Sequence, residues 1–170
     1  MLRVDLGRLA REGSVRVEAQ VAADDPLWHG SGMQWMGPVD VRLRATYAGS
    51  GEVVVRGTVQ GELDQECRRC LKPLVGSFDN ELTLVFASDG TDEDRDEGDV
   101  FVLDPVGGSL DLSDAVREEV FLAMNPYVVC EPECRGLCPR CGKNLNEGPC
   151  DCSEAEVDPR WEALRALKGR

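Results

Sequence analysis

Apolar and polar positions alternate through most of the first ninety residues. Val15, Val17, Ala19 and Val21 interleave with Arg16, Glu18 and Gln20. The stretch VDVRLRATY does the same from Val39 to Tyr47. EVVVRGTVQGELDQEC carries Val53, Val55, Val59 and Leu63 toward Cys67, and NELTLVF places Leu82, Leu84 and Phe86 in step. A period of two, broken by Gly and Pro, predicts half-buried antiparallel strands. AGSGE at 48–52 predicts a hairpin turn between two of them. VFVLDPVGGSLDL continues as extended chain. The period then changes: Leu112, Val116, Val120 and Met124 recur every fourth position, which predicts a helix over 112–124. Ser113 or Asp114 is placed to cap it, and Asn125-Pro126 to end it. Near the C-terminus DPRWEALRALK predicts a second, short helix. Asp158 suits its N-cap, Pro159 its first turn, and Trp161, Leu164 and Leu167 its apolar stripe.

Between these elements lie two stretches without periodicity. SDGTDEDRDEGD at 88–99 holds seven acidic residues and one basic, and reads as a solvated loop. Its acidic spacing loosely resembles a calcium loop but lacks the ligand pattern and flanking helices. The other is CEPECRGLCPRCGKNLNEGPCDC at 130–152. The implied fold class is α+β, mainly antiparallel β with C-terminal helices and a cysteine-rich zinc-binding segment. Residues 1–125 form a mainly β domain. Residues 126–170 form the cysteine-rich segment and terminal helix, packed on the first. No internal repeat is expected.

Charge narrows the function. The chain's 170 residues carry a formal net charge of −13. Phosphate contacts supply most of a nucleic-acid binder's affinity, so this balance opposes long-range attraction to naked RNA. It suits basic partners such as ribosomal proteins, or serves solubility alone. The N-terminus shows no signal-peptide core, and no stretch approaches the roughly 18 apolar residues of a membrane span. The expected compartment is the cytosol, where thiols stay reduced and a disulfide framework is not expected.

Reduced thiols turn the cysteine spacing into a metal question. Of eight cysteines, six fall in 130–152 and two, Cys67 and Cys70, in CRRC. Cys-x2-Cys is a common bite for zinc, because both sulfurs straddle one tight turn. Cys138-Pro139-Arg140-Cys141-Gly142 fits it well: the proline sets the turn and the glycine accepts a positive φ. Cys150 and Cys152 face the same way in extended chain and complete a local set of four. Cys130 and Cys134 can then join Cys67 and Cys70 across the chain. One or two zinc ions are therefore expected. An alternative uses Cys67 and Cys70 with two of the later six and leaves spare thiols reduced. Ferredoxin spacings are missing, and CRRC is followed by more strand rather than by a redox-motif helix. Arg68 and Arg69 are expected to lower the thiol pKa values beside them, which would favour metal binding.

His29, in LWHGSGMQWM, reads as a loop residue rather than a ligand. That loop, with Trp28 and Trp35, reads as a plug closing one end of the sheet; an exposed partner-binding loop is the alternative. There is no Ser/His/Asp set, phosphate-binding glycine loop or paired-carboxylate signature, so no enzyme is expected and no small-molecule substrate.

CRRCL after a long strand, then EEVFLAMNP, CRGLCPRCGKNLNEGPCDC and DPRWEALRAL, resembles the YceD family from about residue 65 to the end. The resemblance implies a role in 23S rRNA accumulation or processing and large-subunit assembly. It also implies partners among ribosomal proteins or assembly intermediates, with possible rRNA contact, and it supplies no catalytic mechanism. Cys67, Cys70, Cys130, Cys134, Cys138, Cys141, Cys150 and Cys152 carry over as metal ligands. A metal- or redox-responsive regulator and an rRNA-processing nuclease are the rival readings. Arg68, Arg69, Arg135, Arg140 and Lys143 would form a positive face if the metal sites gathered them.

Overall fold

The computed structural model describes residues 2–49, 51–87, 100–103 and 108–152. The predicted acidic loop at 88–99 and the predicted C-terminal helix lie outside the described residues. Five strands form the main sheet: β2 (Ser14–Val21), β3 (Val39–Tyr47), β4 (Val53–Glu66), β5 (Pro73–Ala87) and β6 (Val100–Val102), in the order β2-β3-β4-β5-β6. Pairing is antiparallel from β2 to β5, and β6 joins β5 in parallel. Two short strands, β1 (Arg3–Asp5) and β7 (Ser109–Asp111), pair beside it. Among the described residues the fold is mainly antiparallel β with two α-helices.

The alternation seen in sequence sets which face is buried. Val15, Val17, Val41, Leu43, Val55 and Leu84 turn inward and are buried, and Arg16, Arg42, Arg44 and Arg56 turn to solvent. The predicted hairpin turn at 48–52 is present, closed by Ala48 N–H to Glu52 O at 2.8 Å. The inner face is covered by α1 (Leu6–Glu12) and α2 (Ser113–Ala123), with Leu9, Val116 and Val120 in the same core.

Helix α1 was not foreseen. It has seven residues and two buried leucines, too few for a helical period to register. Its boundaries were nonetheless written in the chain. Asp5 Oδ1 accepts the Arg8 N–H at 2.7 Å, and Gly13, at φ 74, ends the helix with its N–H on Leu9 O. For α2 the expected caps are corrected. Neither Ser113 nor Asp114 caps it; Asp111 Oδ1 accepts the Ser113 N–H at 3.0 Å, and Asp114 sits in the first turn.

The strand lengths position everything that follows. β2 and β3 have 8 and 9 residues, whereas β4 and β5 have 14 and 15. β3 pairs with β4 only as far as Gln60. Beyond it, Gly61–Glu66 and Phe78–Pro73 run on as a two-stranded ribbon. Trp35 pads that ribbon through a bridge to Leu63, and Met36 N–H donates to Glu62 O. Its ring lies so close over Gly61 that a Cβ there would meet it at 2.8 Å. Trp28 and Trp35 are buried, with centroids 5.3 Å apart, and Trp35 meets Phe78 edge-on at 5.5 Å. The loop is thus a plug, as its apolar content suggested. His29 is exposed on it, and its carbonyl accepts from Arg117 Nη2.

Candidate metal centre

The ribbon's tip is the hexapeptide Cys67-Arg68-Arg69-Cys70-Leu71-Lys72, which joins β4 to β5. Cys67 N–H donates to Lys72 O at 2.9 Å and Leu71 N–H to Cys67 O at 2.9 Å. Cys138–Lys143 repeats this turn: Cys138 N–H donates to Lys143 O at 2.8 Å and Gly142 N–H to Cys138 O at 2.9 Å. Both hexapeptides read Cys-x-Arg-Cys-x-Lys. The expectation of no internal repeat is corrected at this scale, well below the 20–50-residue periods of repeat folds. Both turns need a left-handed fifth residue, at φ 72 for Gly142 and φ 59 for Leu71.

All eight predicted cysteines are brought together in two sets of four. Cys67, Cys70, Cys130 and Cys134 form one; Cys138, Cys141, Cys150 and Cys152 form the other, and within each set the sulfurs all lie within 4.8 Å of one another. His29 belongs to neither. In the first set Cys67 Sγ is 3.8 Å from Cys134 Sγ, and Cys70 Sγ is 3.7 Å from Cys130 Sγ. Those separations are far beyond a disulfide bond of about 2.05 Å. They match the edge, about 3.8 Å, of a tetrahedron with metal–sulfur bonds of about 2.3 Å. Each set could hold one metal ion.

Backbone N–H groups prepare the sulfurs for charge. Burial works against the Cys67 thiolate, yet the N–H groups of Cys130, Cys70 and Arg69 outweigh it and hold the thiol down to about 6. The N–H groups of Cys141 and Arg140, with the Cys150 thiol, hold Cys138 down to about 6. Cys134 is lowered chiefly by the Asn146 side-chain amide, whose Nδ2 donates to its sulfur at 3.3 Å. Each set also contains a thiol that resists ionising. Cys130 is pushed up to about 12 by burial and then by Cys134, Cys70 and Cys67. Cys152 is pushed up to about 12 by Cys141, burial and Cys138. Cys70 rises even though the Lys72 N–H pulls it down, because burial, Cys67 and Cys134 together win. Four thiols this close give up all their protons only to a cation. The donor set therefore fits a divalent metal.

The residues that assemble the centre were less legible. Arg69 ties the two halves together: its carbonyl accepts the Leu137 N–H at 3.0 Å, and its Nη1 donates to Pro132 O and Cys134 O. Gly136 stands where a Cβ would meet Arg69 O at 2.9 Å, and its φ is +73, so glycine is required twice over. Asn146 Oδ1 accepts the Arg135 N–H while its amide reaches Cys134. The pair of asparagines in NLN was the signal for this. The expected positive face is only partly formed. Arg69 and Lys143 are spent on backbone carbonyls, and Arg140 is also engaged.

Comparison with known proteins bears on this geometry. The family model described as Large ribosomal RNA subunit accumulation protein YceD matches residues 55–168. An uncharacterized protein of Mycobacterium tuberculosis H37Rv is 33% identical over 173 residues, covering 99% of this chain and 82% of its own. The chloroplastic large ribosomal RNA subunit accumulation protein YCED homolog 1 of Zea mays is 26% identical over 195 residues, covering 98% of this chain and 65% of its own. The uncharacterized protein YlbN of Bacillus subtilis is 29% identical over 138 residues, covering 81% of this chain and 78% of its own. No solved structure matches. No helix among the described residues is long and apolar enough to cross a membrane.

Proposed function

The chain belongs to the YceD family, and on that premise we propose that it is a non-enzymatic factor supporting 23S rRNA accumulation and processing during large-subunit assembly. It acts in the cytosol by binding assembly intermediates, touching ribosomal proteins and rRNA together. Two zinc ions, one in each set of four cysteines, brace the segment that follows α2. The observation that carries this reading is the completeness of the two sets. A catalytic zinc keeps a position open for water or substrate, whereas four thiolates fill the coordination shell. Zinc here organises a segment that has little apolar core of its own.

The test is depletion of the protein in its own cells. Large-subunit rRNA should fall relative to small-subunit rRNA, with precursors accumulating, and a variant lacking the first set, Cys67→Ser with Cys70→Ser, should not restore it. Normal 23S rRNA and normal large subunits after depletion would overturn the proposal. Elemental analysis of protein purified without chelator should give two zinc ions per chain; fully folded, metal-free protein with eight reactive thiols would remove zinc from it.

A further inference from the structure

The outer face of the main sheet carries a feature that the metal centre does not use. The register places Arg16 opposite Arg44, and Arg44 opposite Arg56. Three guanidinium groups thus stand in one row across three adjacent strands, within about 10 Å at normal strand spacing. Arg42 stands in the next row, one pleat from Arg44. All four are exposed. None of their side chains makes a hydrogen bond or ion pair among the described residues, where the ion pairs are Arg3–Asp111 and Arg8–Glu12. Like charges directly opposed across strands are destabilising. On a chain of net charge −13, acidic residues were plentiful to relieve them.

The neighbours define what the row would take. Thr83 lies opposite Arg56, and Thr58 lies one pleat away opposite Glu81. Glu18 faces Arg42 from β2, and the following row holds Asp40 and Asp79. The face is therefore basic at one end and acidic at the other. A polyanion is admitted along the first row and excluded beyond the second. Arginine matches phosphate with paired N–H donors, and threonine hydroxyls add further donors. No aromatic side chain stands in these rows, so bases have nothing to stack on.

We infer that the Arg16–Arg44–Arg56 row grips the phosphate backbone of RNA, independently of base sequence. This deepens the proposed function and rests on it. It places the RNA contact on the sheet, away from the metal knuckles, and reconciles an acidic protein with an RNA-bearing particle.

The test titrates the full-length, zinc-loaded protein with a short single-stranded RNA and with its duplex across a salt series. The variant Arg16→Gln/Arg44→Gln/Arg56→Gln should bind more weakly, with the slope of log affinity against log salt shallower by about 2–3, since each lost phosphate contact removes about 0.7–0.9. The triple Arg→Lys variant should keep most of that slope. The glutamine variant should melt no lower than the parent, because it relieves like-charge contacts. Arg68→Gln/Arg135→Gln at the knuckles should leave the slope unchanged. An unchanged slope in the sheet variant overturns the inference, as does loss of binding to a polyglutamate peptide with RNA binding intact, which would make the row an acidic-protein site. If the sheet variant also restores 23S rRNA in depleted cells, the inference falls and the proposed function stands. Normal 23S rRNA after depletion sinks the proposed function alone.

Discussion

The two sets of four cysteines share a turn and differ in almost everything else. The first joins residues 60 and 67 positions apart, pinning the segment after α2 to the tip of the β4–β5 ribbon. Cys67, Cys70 and Cys134 in it are buried. The second closes entirely within Cys138–Cys152, and Cys141 and Cys152 in it are exposed. A crosslink that closes a long loop removes more freedom from the unfolded chain than one that closes a short loop. The same knuckle thus serves as a long-range staple in one place and a local clamp in the other.

The largest effect should come from breaking the staple. Cys134→Ser should remove one metal ion and detach the segment after α2, at a cost of several kcal/mol (structural zinc in small peptides supplies about 10–16). The Arg68 N–H, held by Val128 O, and the Leu137 N–H, held by Arg69 O, should then lose hydrogen-exchange protection. The sheet should keep its own. Cys141→Ser should remove the other ion and leave those two amides protected. Equal loss in both variants would erase the distinction.

Acidification should act next. In metal-free protein near pH 9, Cys67 and Cys134 are ionised, because their folded values lie below the ordinary 9.0, and Cys70 and Cys130 hold their protons, because theirs lie above it. Metal uptake by the first set therefore releases about two protons. Near pH 9 each unit of acidification should weaken it about a hundredfold, and the dependence should steepen at lower pH as Cys134 takes up its proton and, below about pH 6, Cys67 as well. Calorimetry of Cys141→Ser in buffers of different ionisation enthalpy counts those protons; a count near zero would contradict the cause given for the shifts.

A smaller difference should appear in kinetics. Under mild chelation the exposed Cys141 should be alkylated about tenfold or more before the buried Cys67 and Cys134, a gap that needs only about 1.4 kcal/mol. Mass spectrometry of timed samples reads the order, and the reverse order would mean that burial does not govern access. The smallest effect separates the two turns at their fifth residue. Leu71 holds φ 59 with its side chain mostly in water, so Leu71→Gly should stabilise by about 0.5 kcal/mol, the left-handed penalty slightly exceeding glycine's entropic cost. Gly142→Ala should destabilise by about 1 kcal/mol. Urea unfolding of both decides it.

These differences track what could be read from the chain. The β-strands were legible because one buried face imposes a period of two, and Val39–Ala45 shows it without interruption. The grouping of the cysteines followed from spacing, since Cys138 and Cys141 reach Cys150 and Cys152 in a single loop. What escaped lay in pairings that no local period encodes. The Arg69 bridge to Leu137 and Cys134 joins distant segments, and Asn146 acts through one amide. The arginine row exists only once three strands are in register. Helix α1 escaped for the opposite reason, being wholly local but only seven residues long.

The long β4–β5 ribbon also sets an order in time. Its strands are joined by six residues, and hairpins form in about 1–10 μs. Cys67 and Cys70 are therefore presented as a finished half-site once the paired β5 residues, Pro73–Phe78, have followed them out of the peptide exit tunnel. Cys130 follows Cys70 by 60 residues, which at about 5–20 residues per second takes about 3–12 s. For those seconds the nascent chain holds a two-thiol hook, able to catch a metal ion weakly but not to retain it, so firm capture reports that translation has passed Cys134.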